Sequence, residues 1–240
     1  IRYTHRTLGD TDIYFVSNRS DGISDGTCTF RTTGLYAQLW NPVTGECYSV
    51  ECTDDGKATT IPMVFAPYQS FFIVFVPQRD DSLPAYNFGK PEEEKPLEGS
   101  WDVTFSPKYN QAEFTVTFPV LSDWSLNKDE RIRYYSGSAF YRKTFTMGAI
   151  EEGKEYGIDL GTVWDMASVR LNGKDLGTVW TSPWRVDASS AVKEGENILE
   201  IEVVNLWQNR LIGDRDKAPS DRLTFTTWNF SEVATPAVRA

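Results

Sequence analysis

The tightest constraint on how this chain folds is a period of two. In the run Ile198-Leu199-Glu200-Ile201-Glu202-Val203, the apolar residues Leu199, Ile201 and Val203 fall on one side and Glu200 and Glu202 on the other. Successive strand side chains point to opposite faces, so this pattern belongs to a half-buried β-strand. Trp101, Val103 and Phe105 repeat it, as do Phe114, Val116 and Phe118. Asn172-Gly173 separates two further runs at 167–171 and 176–180, and this pair accepts φ > 0 at both corners of a two-residue hairpin. Nowhere does a long amphipathic helical period occur, which excludes a (β/α)₈ barrel. The predicted fold class is all-β.

The first third of the chain carries short strand-like runs at 11–18, 27–33, 35–40, 46–53, 58–65 and 70–76. Asn41-Pro42-Val43-Thr44-Gly45 and Asp54-Asp55-Gly56-Lys57 punctuate them, because Pro presets φ and Gly accepts left-handed backbone. The uninterrupted apolar run at 70–76 suits a strand covered on both sides. These elements predict a small β-sandwich over residues 1–88. Residues 89–97 lose the periodicity and collect Gly89, Pro91, Pro96 and the acidic run Glu92–Glu94, which reads as a solvated linker. Residues 98–240 are then a second sandwich, with one helical turn expected at 187–193 and Asp187 as its N-cap.

Two domains suit a chain of 240 residues. The net charge of −10 argues against nucleic acid, whose phosphates require a basic face. No apolar run approaches the ~20 residues of a membrane-spanning helix. Position 1 is Ile rather than Met, which reads as a piece of a longer protein, so the lack of a leader carries no weight. The cysteines Cys28, Cys47 and Cys52 form no Cys-x-x-Cys pair. A disulfide from Cys28 to either of the others, and three reduced thiols acting as small hydrophobes, both satisfy the count.

His5 is the only histidine, so a two-histidine metal site cannot be built, and its place near the terminus favours packing. Glycoside hydrolysis needs two carboxylates across a cleft, ~5–5.5 Å apart for retention or ~6.5–9.5 Å for inversion. With 34 acidic residues some pair meets that spacing by chance, and none stands in a catalytic motif. Sugar recognition is the better-supported chemistry, since a pyranose C–H face lies on an aromatic ring while amide, carboxylate or guanidinium groups satisfy its hydroxyls. The candidates are Trp180, Trp184, Trp207, Asn209, Arg210 and Asp214, with Trp124 and Trp164 as further aromatics. The same residues also read as architecture, with Trp184 and Trp207 closing the sandwich and Arg210 paired to Asp214. Trp207 continues a core strand, so an inward ring is the expectation. Asp214 and Asp216 are oxygen donors of the kind calcium takes, but two carboxylates are too few to define a structural calcium site.

One long ordered series of motifs carries a resemblance. It runs Ser-Gly-Ser-Ala-Phe-Tyr-Arg-Lys-Thr-Phe at 136–145, Asp-Leu-Gly at 159–161, and Val-Arg-Leu-Asn-Gly-Lys-Asp-Leu-Gly at 169–177. Pro-Trp-Arg-Val-Asp at 183–187, Gly-Glu-Asn at 195–197 and Asn-Leu-Trp-Gln-Asn-Arg-Leu-Ile-Gly-Asp at 205–214 complete it. The series resembles the galactose-binding-like jelly roll in the C-terminal part of family 106 α-L-rhamnosidase-type glycoside hydrolases. It is more loosely similar to the sugar-binding domain of family 2. His5-Arg6 and Asp12-Ile13-Tyr14-Phe15-Val16-Ser17-Asn18 resemble the segment just after the catalytic barrel in family 106. In place of that family's closing Ser-Gly-Leu-x-Gly-Pro-Val stretch, this chain has Ser-Glu-Val-Ala-Thr-Pro-Ala-Val at 231–238.

The resemblance implies two β-sandwich domains, the second a galactose-binding-like jelly roll. It also implies a chain that lacks the catalytic domain and is inactive alone, acting in degradation of a plant-type, rhamnose-containing glycan. Its partner would be an upstream catalytic domain of the same protein, in the periplasm or outside the cell. A purely structural scaffold, or a protein-interaction module that binds no sugar, is the competing reading.

Overall fold

The computed structural model describes residues 1–89, 93–107 and 112–224, so part of the 89–97 linker and the whole of 231–238 lie outside the described residues. The chain divides into two compact units, Ile1–Lys95 and a second beginning at Pro96. Both are built of antiparallel strands.

The first unit contains β1 (Arg2–Leu8), β2 (Thr11–Ser17), β3 (Ser24–Phe30), β4 (Tyr36–Trp40), β5 (Cys47–Ser49), β6 (Thr53–Asp54), β7 (Thr59–Phe65) and β8 (Ser70–Val76). One sheet runs β1-β2-β8-β4-β5 and the other β3-β7-β6. Their inner faces share one core, with Tyr14, Val16, Leu39, Ile73 and Phe75 from the first sheet and Phe30, Ile61, Met63 and Phe65 from the second. β8 lies between β2 and β4, and Val74 is buried on the side opposite Ile73, as a continuous apolar run requires. Pro62 is tolerated in β7 because β6 pairs only with Thr59 and Thr60, leaving Pro62 a neighbour on the β3 side alone.

β1 was not apparent from the sequence, whose first residues lack alternation. It pairs with β2 without a break, from Arg2 opposite Ser17 to Leu8 opposite Thr11. His5 stacks on Tyr14 with ring centroids 4.1 Å apart and hydrogen-bonds the Asp12 carboxylate at 2.7 Å, a packing role. All three cysteines are free thiols, so neither disulfide alternative is formed.

The second unit contains β9 (Trp101–Phe105), β10 (Phe114–Phe118), α1 (Glu130–Arg133), β11 (Ser138–Met147), β12 (Gly157–Asp159), β13 (Met166–Leu171), β14 (Lys174–Val179), β15 (Arg185–Asp187), β16 (Gly195–Val204) and α2 (Gln208–Asp214). Six strands form the sheet β10-β9-β11-β16-β13-β14, and β12 pairs with β15 in a second, smaller layer. Val103, Phe105, Ala139, Val169, Leu199 and Ile201 face a core closed from the other side by Trp124, Ile132, Tyr135 and Val186. Trp124 has the polar neighbours of a loop residue, yet it is fully buried in a 3₁₀ turn, where its indole N–H donates to the Tyr141 hydroxyl at 2.7 Å. Burial pushes the Tyr141 phenol up to about 12.

Several motif residues prove to be fastenings. Asn172 and Gly173 have φ of 54° and 79° and form the turn between β13 and β14. The Asn172 amide donates to the Ala191 carbonyl and Asn197 Oδ1, and its own oxygen accepts from the Ile198 N–H. Asn205 accepts from the Gly137 N–H and donates to the Tyr135 carbonyl, joining the end of β16 to the start of β11. The turn expected at 187–193 is present as a single hydrogen-bonded turn and not a helix. Asp187 accepts from the Ser189 N–H, and the Val192 N–H reaches the Ala188 carbonyl.

Candidate functional site: the end of the large sheet and helix α2

Two groups of candidate residues are brought to the second unit's surface and interior in different ways. The first group lies at one end of the β14-β13-β16 strip. Along β13 and β16 the inward residues are Ala167, Val169, Leu171 and Leu199, Ile201, so Met166 and Val204 turn outward, directly opposite each other. Because Ala167 pairs with Val179, Trp180 arrives beside Met166. The next loop is held close by the Asp165 carboxylate, which accepts from the Leu206 N–H at 3.0 Å. Trp164, Met166, Trp180, Leu206 and Trp207 are all exposed at this end, Trp180 at 59% and Trp207 at 61%.

Trp207 therefore reverses the expectation of an inward ring. The strand alternation that would bury it stops at Val204, and α2 begins with Trp207 as its N-cap residue. Trp184 is half-buried against the core, and its carbonyl accepts from the Leu160 N–H at 2.8 Å. Trp124 is interior and has no exposed face.

The second group lies in α2, a helix too short to leave a periodic signature in the sequence. Asn209 and Asp214 are buried, and Arg210 keeps only 15% of its side chain exposed. Asp214 Oδ2 accepts from the Leu223 N–H, the Thr224 N–H and the Thr224 hydroxyl at 2.8–2.9 Å. Its Oδ1 faces Arg210 Nη2 at 3.3 Å and Lys217 Nζ at 3.5 Å. Burial opposes its charge, but the Thr224 contacts, the Arg210 guanidinium and the Leu223 amide outweigh that and hold the carboxyl below the usual carboxylate range. The loop thus does not present Asn209 and Asp214 beside an open Trp207 ring, because their polar atoms face inward. Asp214 Oδ2 is thus occupied within the chain, while its buried Oδ1 has no hydrogen-bond partner and only the two longer cation contacts. Among the described residues no group of three or more His, Cys, Asp or Glu gathers as a metal would need.

Gly213 explains how α2 packs so closely. A Cβ there would stand 2.6 Å from Cβ and Cγ of Tyr134 and 2.5 Å from Arg210 Nη2, so only glycine lets the Tyr134 side chain rest on the helix backbone. Beside this contact lies a pocket of about 150 Å³ lined by Glu130, Arg131, Tyr134, Arg210 and Lys217. Apart from Arg210, these residues are not legible as a site, since they come from segments roughly 80 residues apart that show no shared pattern.

Comparison with known proteins adds four findings. A family described as glycosyl hydrolase 2 galactose-binding domain-like matches residues 120–239, and the family 106 alpha-L-rhamnosidase description matches residues 1–54. The solved structure of a rhamnosidase from Novosphingobium sp. PP1Y superposes with a TM-score of 0.83 at 30% identity, covering 99% of this chain and 22% of that one. A protein named "Putative beta-glucuronidase" from Formosa agariphila is 40% identical over 55% of this chain and 13% of its own length. The chain therefore spans less than a quarter of either relative. No helix among the described residues is long and apolar enough to cross a membrane.

Proposed function

Since this chain belongs to the glycosyl hydrolase 2 galactose-binding domain-like family, we propose that it is the non-catalytic β-domain part of a glycoside hydrolase. In this reading it braces a separate catalytic domain of the same protein and offers that protein a carbohydrate-binding edge. The observation that carries the reading is the match of fold along 99% of this chain to 22% of a rhamnosidase. A parent of that kind would act on rhamnosyl linkages of plant-type glycans in the periplasm or outside the cell, with its acid and base carboxylates elsewhere in the polypeptide. Trp180 and Trp207 are the residues suited to sugar, because each is a large exposed ring at the same end of the sheet. Arg210 and Asp214 pair inside the chain and Asn209 is buried, which favours a scaffold role for α2.

The test has two arms. This chain alone should leave an aryl rhamnoside intact, and turnover that vanishes on changing one Asp or Glu to Ala would refute the non-catalytic assignment. On a glycan array, Trp180→Ala and Trp207→Ala should each abolish the signal while the unfolding midpoint moves by less than ~1 kcal/mol equivalent, as for exposed side chains. An array silent with the unaltered chain would leave the scaffold reading in sole possession.

A further inference from the structure

The five-stranded sheet of the first unit is apolar on both faces. Residues directly opposite each other in antiparallel strands share a face, so Ile13, Val74 and Gln38 form one row across β2, β8 and β4 on the side away from the core. Phe15, Phe72 and Trp40 form the next row, and Tyr36 with Val76 extends the surface in the other direction. The Phe15 and Phe72 rings pack with centroids 5.0 Å apart. The Gln38 side-chain oxygen accepts from the Trp40 indole N–H at 2.9 Å, which fixes that ring on the face. Val74, at the middle, is buried, but Trp40 is 41% exposed, Tyr36 47%, and Leu8 at the end of β1 74%. An antiparallel sheet that meets water normally carries polar residues on its outer side. A contiguous apolar face of several hundred Å² instead marks an interaction surface.

We propose that this face docks the catalytic domain of the same polypeptide. The proposal rests on the reading that the chain is the non-catalytic part of a glycoside hydrolase, and it names the surface through which the brace acts. Two observations select this occupant. Residues 1–54, which match the family 106 alpha-L-rhamnosidase description, supply β1, β2, β4 and β5, four of the five strands of the sheet. The fold match along 99% of this chain reaches only 22% of a rhamnosidase, so a chain of that kind carries most of its length elsewhere. Area and chemistry set the alternatives aside. Five strands ~4.8 Å apart, each with about three residues ~6.8 Å apart on one face, span roughly 500 Å². Covering it buries roughly 1,000 Å² over both partners, within the ~600–1,500 Å² of domain interfaces inside one chain and short of the ~1,600 Å² of a stable complex between free molecules. A second copy therefore fits less well than a tethered domain. A glycan fits poorly too, because Ile13, Val74 and Val76 offer its hydroxyls nothing and the Gln38 oxygen is taken by Trp40.

The experiment compares this chain with the full-length polypeptide encoded by its gene, using hydroxyl-radical oxidation read by mass spectrometry at Tyr36 and Trp40. Oxidation of both should fall roughly five-fold or more in the full-length protein, as for rings moved from water into an interface core. Trp40→Glu in the full-length protein should speed heat inactivation of its aryl-rhamnosidase activity roughly ten-fold, because it places an unpaired charge in that interface. The same change should leave the unfolding midpoint of the chain alone nearly unmoved, since the side chain is on the surface. Should Trp40→Glu fail to fold, Leu8→Glu gives the same comparison at a more exposed position. Equal oxidation in a full-length protein that hydrolyses the rhamnoside, or unchanged heat inactivation in the variant, would overturn the interface and leave the functional reading standing. Absence of turnover on any aryl glycoside by the full-length protein would refute that reading, and the catalytic identity of the partner with it. Protection in the chain alone that rises with its concentration would mean a second copy, and protection by added rhamnose-containing pectin would mean a sugar platform. Either would overturn the proposal.

Discussion

Asp214 concentrates more of the second unit's polar chemistry than any other side chain described. Three donors from Leu223 and Thr224 meet one oxygen, and two cations face the other. Removing the charge leaves Arg210 buried against a neutral amide, so Asp214→Asn should cost about 3 kcal/mol, near the low end for breaking a buried ion pair. Denaturant unfolding would measure it, and a loss under ~1 kcal/mol would mean the ion pair contributes little. The pH dependence has a definite sign. The folded carboxyl is held below its ordinary value of 3.8, so its stabilisation is complete above that value and is lost as pH falls through the lower folded one. Stability of the second unit should therefore drop steeply below about pH 4. Asp214→Asn should flatten that drop.

At the scale of elements, the β13–β14 hairpin is fastened more strongly by its first corner residue than by its second. Gly173 has φ of 79° with open space where a Cβ would go, so Gly173→Val carries a conformational cost alone, roughly 1–2 kcal/mol. Asn172 also stands at positive φ, and its amide bonds Ala191, Asn197 and Ile198, tying the hairpin to the start of β16. Asn172→Ala should accordingly destabilise more than Gly173→Val, each measured as a shift in denaturant midpoint at constant slope. The reverse order would mean the amide contacts contribute little. α2 shows a different logic: seven residues cannot sustain a helix by propensity, and it is held by Gly213 under Tyr134 and by Asp214.

For the whole molecule, the two units have separate cores, and residues 89–97 are proposed as the linker between them. Limited proteolysis should cut first within 89–97 and yield two fragments that each unfold cooperatively. First cleavage within 136–210 would argue against that boundary.

What the sequence determined by itself was the class of structure. Alternation at 198–203 and the Asn172-Gly173 corner leave no choice but antiparallel strands, because side-chain direction in a strand is a local property of the backbone. The ordered motifs also carried the family resemblance, and many of the residues in them turned out to be turn and corner fastenings such as Asn172, Asn197 and Asn205. Only the tertiary structure decided the surface. Trp124 stands among polar neighbours in the sequence and is interior, whereas Trp207 follows an alternating strand and stands 61% exposed. A ring's exposure depends on where the alternation stops and what folds back over it. The pocket shows this most plainly, since Arg131 and Lys217 are far apart in the chain yet both line it, beside the contact of Tyr134 with Gly213. Distant side chains converge through packing, which no local pattern encodes.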